Sequence, residues 1–331
     1  MGATQAVDRW ASRESRRERY DVYGVTLETD FPFATPGPHT DAGVDVGFTF
    51  DEVPGSPLDL HERGLVDAQG RRNDRRADFS FYRFDDHDAI RITGAADFAI
   101  TDDRLACRLV DPQHRYLVEI ALFGMVFALW LERRGIPTLH ASAAVLGDQV
   151  VAFLGNKGGG KTSLAAASLA AGHAFLADDL LAFDVVDDRI LARRGWPSLR
   201  LWPDQLGHFV NTSWGDLPLV HPDYAKRRVV VGDQGLGQFA TGCGHLTRIY
   251  LPERLSDGSA RVSIRRLSPH EAMMSLVRHS FLPREVQRFG LQPRRLQTFA
   301  DLMEMVPVSV LRYPAGLERL DEAVAAVERD L

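Results

Sequence analysis

The sequence predicts an α/β fold for the C-terminal part of the chain, preceded by a smaller, mainly β (α+β) N-terminal domain. Short β-like runs broken by turns occupy residues 21 to about 110. Strand-like and helical segments then alternate towards the C-terminus, which is typical of a sheet layered with helices. A glycine-rich loop in that part joins an apolar strand to a helix-forming run. We therefore predict an N-terminal domain of unknown role over 1–135 and a second domain over 136–331.

Composition and charge argue against several classes of protein. The chain has 331 residues, a formal net charge of −6 and a pI near 6.0, which argues against general nucleic-acid binding. Cys107 and Cys243 are too few and too isolated for a disulfide framework or a zinc site. The N-terminus lacks the apolar core of a secretion signal, and the most apolar stretch, Ile120–Leu131, is shorter than the roughly 20 residues that span a bilayer. We expect a cytoplasmic protein with no nucleic-acid and no membrane partner.

The N-terminal domain shows strand patterns without recognisable chemistry. Residues 1–20 are charged and arginine-rich, which predicts a frayed or helical arm. The loop GRRNDRRADF over 70–79 either contacts an acidic partner or is a solvated turn. Residues 116–134 predict a helix with a broad apolar face, ended by Gly135. The predicted strands are DVYGVTLETD, DAIRITG, DFAITDD and RLACRLV.

The C-terminal domain alternates strands with helices. A turn at Gly147-Asp148 separates TLHASAAVL from VVAFL, which predicts paired strands leading into the glycine loop. Residues 162–171 are strong helix formers. Ser268 and Glu271 form a capping box with Pro269 at the first helical position, so we expect a helix to begin there. The remaining predicted strands are AFLADD, LLAFDVV and PVSVLRY, and the remaining predicted helices are RRLQTFADLMEMV and LERLDEAVAAVERDL.

The glycine loop matches the phosphate-binding pattern G-x-x-x-x-G-K-[ST]. Glycines let successive N–H groups converge on phosphate oxygens. Lys161 supplies a mobile charge for the β- and γ-phosphates, Thr162 offers a hydroxyl to Mg²⁺, and the helix that follows points its positive end at the anion. A bare strand-to-helix turn would need neither the lysine nor the threonine. The predicted nucleotide-binding residues of the loop are Gly155, Asn156, Lys157, Gly158, Gly159, Gly160, Lys161, Thr162 and Ser163.

Two other nucleotide-binding classes fit this loop less well. Partition-type ATPases carry an extra lysine at the second position of the pattern, whereas Lys157 stands at the third. Those enzymes also tend to begin with their loop, which here follows about 150 residues of other sequence. A GTPase would require an N-K-x-D motif downstream, and the sequence has none.

A pair of aspartates follows the loop at a distance along the chain that would allow both to lie near the phosphate-binding loop. Asp178 lies 17 positions after Lys161, which is enough for one short helix and one short strand. A right-handed crossover would place a parallel strand beside the first, with Asp178 and Asp179 at its C-terminal end on the phosphate side. Such a pair can hold Mg²⁺ and accept the proton of an attacking hydroxyl. The alternative is a charged turn between two strands.

Three segments together resemble the catalytic domain of HPr serine kinases. They are LHASAAVL, FLGNKGGGKTSLAAASLAAG and LADDLLAFD, in this order and spacing. The closer resemblance is to the HPr-kinase-related proteins, some of which serve lasso-peptide biosynthesis as precursor-peptide kinases. It covers residues 137–210 well and the rest of the C-terminal half loosely, whereas 1–135 fits in general layout only. The family implies a P-loop kinase domain of the HPr kinase/PEP carboxykinase-like type, with ATP and Mg²⁺, and transfer to a serine hydroxyl.

The resemblance implies roles for individual residues. His140 matches the family histidine on the strand before the loop, close to the transferring phosphoryl group; taken alone, it would more often be a structural histidine. Asp178 and Asp179 match the acidic pair that the family uses as general base and as metal ligand, and we favour Asp178 as the base. Together with Lys161 these are the predicted catalytic residues. The predicted metal ligands are Thr162, Asp178 and Asp179.

The sequence also departs from the family pattern. Lys157 stands where the HPr enzymes carry serine. The glutamate-isoleucine-arginine-glycine signature of the bifunctional enzymes is missing, and PSLRLWPD retains only Arg200 in roughly its place. These departures argue against a dephosphorylating activity and against HPr itself as substrate.

A basic cluster in DYAKRRVVV adds further candidates for phosphate binding. Only three of the 39 basic residues are lysine, and Lys226 is one of them, which favours a specific use for its compact charge. The alternative is a solvated strand edge. We include Arg200, Lys226 and Arg227 among the predicted nucleotide-binding residues.

These observations predict an ATP- and Mg²⁺-dependent kinase that acts on a serine-type hydroxyl of a peptide or protein. A natural-product precursor peptide of the lasso type is the acceptor that the resemblance implies. Two alternatives stay open: a kinase of a small-molecule alcohol, and an ATP-binding regulatory module that transfers nothing. Kinases of the HPr type assemble into rings through this domain, so the resemblance also implies a homo-oligomer.

Overall fold

A computed structural model of the chain describes residues 17–69, 79–210, 214–233, 235–256 and 261–331. The predicted arm over 1–20 and the predicted loop over 70–79 fall mainly outside these residues. The chain divides into two compact units. The first ends at Arg134 but also includes Arg284–Gln292, and the second comprises Gly135–Pro283 and Pro293–Leu331. The assignment of two domains with separate roles stays a prediction.

The first unit is built on an eight-stranded sheet in the order β1-β2-β3-β8-β7-β6-β5-β4. Strands β5 to β8 form an antiparallel meander, in which β6 to β8 were predicted and β5 was not, whereas β3 pairs in parallel with both β2 and β8. Its strands are β1 Glu18–Val22, β2 Val25–Thr29, β3 Val46–Glu52, β4 Leu65–Gln69, β5 Phe79–Arg83, β6 Asp88–Ile92, β7 Ala96–Ile100 and β8 Arg104–Leu109.

One helical segment packs its apolar face into this unit. Helix α1 (Tyr116–Ala121) and helix α2 (Phe127–Arg133) are joined by a π-helical turn, Leu122–Val126. Gly135 ends the segment with φ +78°, a left-handed conformation that suits a residue without Cβ. The predicted helix is therefore confirmed, but the π-turn inside it was not predicted.

The second unit contains a ten-stranded sheet and a separate three-stranded sheet. The order in the large sheet is β18-β12-β10-β11-β19-β14-β13-β9, with β21 paired to β19 and β20 paired to β21. The small sheet has the order β15-β17-β16. The strands are β9 Thr138–Leu139, β10 Ala141–Leu146, β11 Gln149–Leu154, β12 Ala174–Ala177, β13 Leu181–Val186, β14 Arg189–Ala192, β15 Ser198–Leu201, β16 Leu219–His221, β17 Tyr224–Val230, β18 Gln238–Phe239, β19 Gly244–Leu255, β20 Ser263–Arg266 and β21 Val308–Pro314.

Helices cover both faces of the large sheet. Val151 and Phe153 of β11 face one apolar core, which includes residues of α3 and α8, and Val150 and Ala152 face another, which includes residues of α5 and α7. Burial on both faces explains why β11 is a continuous apolar run rather than an alternating one. The helices are α3 Lys161–Ala170, α4 Pro203–Phe209, α5 Pro269–Arg278, α6 Pro283–Arg288, α7 Gln292–Met305 and α8 Leu320–Asp330.

Several local predictions for this unit are confirmed. Strands β10 and β11 form an antiparallel hairpin. Helix α5 begins with the predicted capping box: the Glu271 N–H donates to Ser268 Oγ at 3.3 Å, and the Ser268 N–H donates to Glu271 Oε2 at 2.9 Å. Within the described ranges, no helix has both the length and the apolar character required to cross a bilayer.

Candidate active site

The glycine loop connects β11 to α3 and depends on glycine at two positions. Gly158 and Gly160 adopt φ of +79° and +96°, where side chains are rarely tolerated. A Cβ at Gly160 would also lie 2.3 Å from the hydroxyl oxygen of Tyr313. The Gly159 N–H donates to the Asn156 carbonyl at 3.0 Å, which closes a tight turn within the loop. The loop therefore has the strand–turn–helix setting that a phosphate-binding pattern requires.

Lys161, the first residue of α3, is buried beneath the loop. Its ammonium group donates to the carbonyl oxygens of Gly155 at 2.8 Å and Asn156 at 3.1 Å, and it lies 3.1 Å from His140 Nε2. These contacts occupy all three of its donors. Burial lowers the pKa of Lys161. A phosphate group would thus have to compete with loop carbonyls or with His140 for this lysine.

His140 connects Lys161 to the acidic pair. Its Nδ1 lies 3.0 Å from the carbonyl oxygen of Asp179. Because a carbonyl oxygen only accepts, Nδ1 must carry the hydrogen, and Nε2 is left to accept from the Lys161 ammonium. Burial and the Lys161 charge both lower the pKa of His140, which favours this neutral form. The structure thus brings the predicted histidine to the end of the lysine side chain.

Asp178 contacts the phosphate loop directly. Its Oδ1 accepts from Thr162 Oγ1 at 2.9 Å and from Ser142 Oγ at 2.6 Å. Its Oδ2 is buried and has no hydrogen-bond partner among the described residues. Burial raises the pKa of Asp178, and the neighbouring charge of Asp179 raises it further. This carboxyl group is therefore a stronger proton acceptor than an exposed aspartate.

Asp179 occupies a different environment. Its backbone has φ +67°, and its carboxylate lies 2.6 Å from the Arg200 guanidinium. Burial alone would raise the pKa of Asp179, but the Arg200 charge and the other nearby cations outweigh it and lower the pKa. The two neighbouring carboxyl groups thus have pKa shifts of opposite sign, a pattern that often separates two catalytic roles.

The strands that carry these groups are not arranged as predicted. The sequence predicts that the strand before the aspartates lies directly beside the strand before the loop. Instead β10 lies between them, antiparallel to both β11 and β12. The hairpin partner of β11 already occupies that edge, so β12 is added on its far side. β11 and β12 still run in the same direction, and their C-terminal ends meet at one edge of the sheet.

A cavity of about 670 Å³ opens beside the loop. It is lined by the predicted loop residues Lys157 to Ser163 and by Lys226. The Lys157 ammonium lies 5.6 Å from the centre of the Tyr224 ring. The cavity walls also include residues that the sequence patterns do not single out: Trp202, Pro203, Asp204, Gln205 and Arg254.

Several predicted residues do not line the cavity, and His140, Asp178 and Asp179 are among them. Arg200 is engaged with Asp179, and the Arg227 guanidinium donates to the Leu217 carbonyl. Arg227 and Lys226 are consecutive in β17, so their side chains leave opposite faces of the small sheet. Gly155 and Asn156 contribute carbonyl groups that hold Lys161 instead.

Several residues of the site were missed in the sequence. Arg254 donates to the Gly158 carbonyl at 2.8 Å, but it lies 96 positions further along the chain. Tyr313 is buried, its hydroxyl has no hydrogen-bond partner within the described ranges, and burial raises its pKa to about 12. Ser142 is a lone hydroxyl in an apolar strand. Of the missed residues, only Gln205 could have been recognised from a sequence pattern, because Trp202-Pro203-Asp204-Gln205 places proline and glutamine at the start of a helix.

The donor set at the acidic pair fits Mg²⁺. This ion prefers oxygen ligands and usually takes only one or two carboxylates from the protein, together with substrate phosphates. The buried, unpartnered Oδ2 of Asp178 is the kind of atom that a bound cation satisfies. Thr162 Oγ1 lies 2.9 Å from the other oxygen of the same carboxyl group, and the Asp179 carboxylate follows in the chain. Across the described ranges, no group of three or more His, Cys, Asp or Glu side chains forms a self-contained metal site.

Comparison with known proteins gives a distant likeness to solved structures. No protein-family model matches the chain, and no curated protein matches it in sequence. Among solved structures, the chain is similar to the HPr(Ser) kinase/phosphatase from Coxiella burnetii, with 11% sequence identity and a TM-score of 0.31. The match covers 58% of this chain and 94% of that one. Because this TM-score is low, we infer the function from the residues of the site alone.

Proposed function

We propose that this protein is an ATP-dependent kinase that transfers the γ-phosphoryl group to a serine-type hydroxyl of a peptide or protein. The observation that carries the proposal is the 2.9 Å contact between Thr162 Oγ1 and Asp178 Oδ1, because it joins the phosphate loop to the acidic pair. A glycine loop alone accounts for nucleotide binding. The carboxyl group of Asp178, which has a raised pKa and contacts the loop through Thr162, adds the proton acceptor that phosphoryl transfer to a hydroxyl requires.

In the proposed reaction the acceptor oxygen bonds to the γ-phosphorus while the bond to the β–γ bridging oxygen breaks and ADP leaves. Asp178 takes the hydroxyl proton. Lys161, Lys226 and Arg254 supply positive charge around the phosphates, and such charge stabilises the transition state more than the ground state. The charge of Arg200 keeps the neighbouring Asp179 carboxylate ionised.

Magnesium bound with the nucleotide would neutralise charge on the β- and γ-phosphates. Thr162 Oγ1 and the Asp179 carboxylate are the groups that would hold it while Asp178 acts as the base. His140 would orient Lys161, because its Nε2 accepts from that ammonium while its Nδ1 is fixed by the Asp179 carbonyl.

For the acceptor, we propose a peptide or protein, with a lasso-type precursor peptide as the first candidate to test. The loop and the aspartates describe the phosphate donor, so a small-molecule alcohol stays the alternative acceptor. We also propose that the catalytic residues belong to one domain of the cytoplasmic enzyme and that this domain assembles into a homo-oligomer.

The test is product analysis with the Asp178→Asn variant. The protein is incubated with Mg·ATP and a set of serine-containing peptides, including any short precursor peptide found encoded beside its gene, and ADP and phosphopeptide are quantified. We expect both products from the wild-type protein and a loss of about 10²- to 10⁴-fold in transfer for Asp178→Asn, with the Kd for ATP little changed. Asp188→Asn, in an exposed turn, is the matched control and should transfer normally.

Three results would contradict the proposal. Full transfer by Asp178→Asn would remove the aspartate from the chemistry. ATP binding without ADP formation, with every acceptor tried, would instead support the regulatory module. Phosphate on an alcohol but never on a peptide would support the small-molecule kinase.

A further inference from the structure

Trp202 stands at the rim of the phosphate cavity with its side chain partly in solvent. It is 38% exposed, and it is the one aromatic residue among the exposed large apolar side chains of the described ranges. Trp202 belongs to neither of the two apolar cores of this unit described above. Its place in the cavity wall beside the glycine loop suits contact with a ligand that has a flat apolar face.

The ring is attached to the phosphate-binding helix through a short relay. The Trp202 N–H donates to Gln205 Oε1 at 2.9 Å, and Gln205 Nε2 donates to Ser163 Oγ at 2.6 Å. Pro203 occupies the first position of α4 and restricts the backbone beside the ring. These contacts fix the start of α4, and with it the Trp202 backbone, relative to the first turn of α3.

The loop also defines a direction for a bound triphosphate. Lys161 and Thr162 serve the β- and γ-phosphates in this pattern, and Thr162 touches Asp178, which marks the γ end. Ser163 follows on the helix and faces Gln205 instead, which places the Trp202 side of the cavity at the opposite end of the phosphate chain. Lys226 lies near both ends, because its ammonium lies 5.7 Å from the centre of the Trp202 ring and its charge also acts on Asp178 and Asp179.

We infer that Trp202 is the stacking platform for the nucleobase of the phosphate donor. The inference rests on the proposed function, since it assumes that the cavity holds a nucleoside triphosphate. An indole face accepts any base, so the site would select an aromatic base over a bare polyphosphate without strict discrimination among bases.

The test compares two ligands that differ only in the nucleoside. Binding of Mg·ATP and of Mg·tripolyphosphate is measured by titration calorimetry for the wild-type protein and its variants. Trp202→Ala should weaken ATP binding by roughly 5- to 150-fold and leave tripolyphosphate binding unchanged, whereas Trp202→Phe should retain most of the ATP affinity. Lys226→Met should weaken both ligands alike. Met274→Ala, on an exposed face of α5, is the control and should change neither.

Failure of the inference and failure of the proposed function give different results. If the wild-type protein binds neither ligand, both are overturned. If it binds ATP but Trp202→Ala weakens ATP and tripolyphosphate equally, the ring only supports the loop and the inference alone is wrong. The inference is equally wrong if Trp202→Ala binds ATP normally but transfers phosphate slowly, because the ring would then belong to the acceptor side.

Discussion

Asp178 and Asp179 are neighbours in the sequence, yet their carboxyl groups meet different surroundings. The side chain of Asp178 faces the hydroxyl groups of Ser142 and Thr162, and that of Asp179 faces the guanidinium group of Arg200. Two hydroxyl donors stabilise a carboxylate less than a full positive charge does. Burial therefore raises the pKa of Asp178, whereas at Asp179 the Arg200 charge and the other nearby cations together outweigh burial and lower the pKa. Asp179, whose side chain faces Arg200, also has a left-handed backbone conformation.

This arrangement makes the acid limb of the pH–rate profile depend on Arg200. Asp178 must be ionised to accept a proton, so activity falls as the pH drops through its raised pKa. The Arg200 charge lowers the pKa of Asp178, although less than burial and Asp179 raise it. Arg200→Met should therefore raise this pKa further and move the acid limb of kcat to higher pH, measured from ADP release across pH 4 to 8.

A matched variant separates this effect from a general loss of positive charge. Arg193 forms an ion pair of similar geometry with Asp184, at 2.6 Å, away from the cavity. Arg193→Met should leave the acid limb where it is. An acid limb that stays in place in Arg200→Met, or moves to lower pH, would show that Asp178 is not the titrating group.

At the scale of single elements, local patterns in the sequence are informative and pairing between distant strands is not. The loop, the β10–β11 hairpin and the cap of α5 follow from residues within a few positions of one another. The insertion of β10 between β11 and β12 cannot be predicted in this way. The number of residues from Lys161 to Asp178 allows β12 to lie either next to β11 or one strand further along the sheet. Helix α4 was missed although Pro203 and Gln205 signal its start, since only seven residues follow the pattern.

The glycine loop gives a prediction at this scale. Gly160→Ala combines an unfavourable φ with a Cβ placed 2.3 Å from the Tyr313 hydroxyl, so we expect a loss of about 1–3 kcal/mol in the free energy of unfolding and weaker ATP binding. Adding Tyr313→Phe removes the obstructing oxygen, and the nearest remaining ring atom lies 3.7 Å away. The double variant should recover part of the loss in urea unfolding.

Gly158→Ala is the control in the same loop. Gly158 also has positive φ, but a Cβ there would meet no atom within 4 Å. It should therefore show the backbone strain without the clash, and Tyr313→Phe should not relieve it. If Tyr313→Phe relieves both alanine variants equally, the hydroxyl is not what excludes a side chain at Gly160.

The start of α5 gives a second prediction. Ser268→Ala removes the side-chain acceptor of the Glu271 N–H and should lower the free energy of unfolding by about 1 kcal/mol, measured by urea titration. Ser275→Ala is the comparison, because the Ser275 hydroxyl donates to the Glu271 carbonyl within the helix at 2.7 Å. Such a bond adds little, so this variant should be neutral or slightly stabilising. Equal losses in the two variants would argue against a capping role.

At the scale of the whole molecule, the order of residues along the chain does not show which residues come together in each unit. Arg254 reaches the glycine loop from β19, and no local pattern marks it among the many arginines of the chain. Likewise Arg284–Gln292 belongs to the first unit, although it falls within the C-terminal domain predicted over 136–331. Only the tertiary structure shows these associations, because each depends on a contact across 96 positions or more.

The 284–292 segment therefore ought to control the stability of the first unit in particular. Phe289 is 3% exposed, its ring lies 4.4 Å from the Arg83 guanidinium, and its carbonyl accepts from Arg83 at 2.9 Å. Phe289→Ala removes a buried ring, a change that costs about 3–5 kcal/mol in protein cores, so amide protection in β5 should fall while protection in β10 and β11 is kept. Gln287→Ala, exposed on the same segment, should alter neither. Hydrogen exchange that accelerates equally in β5 and β11 would mean that the segment stabilises the chain as one cooperative unit, and unchanged exchange in β5 would mean that it stabilises neither.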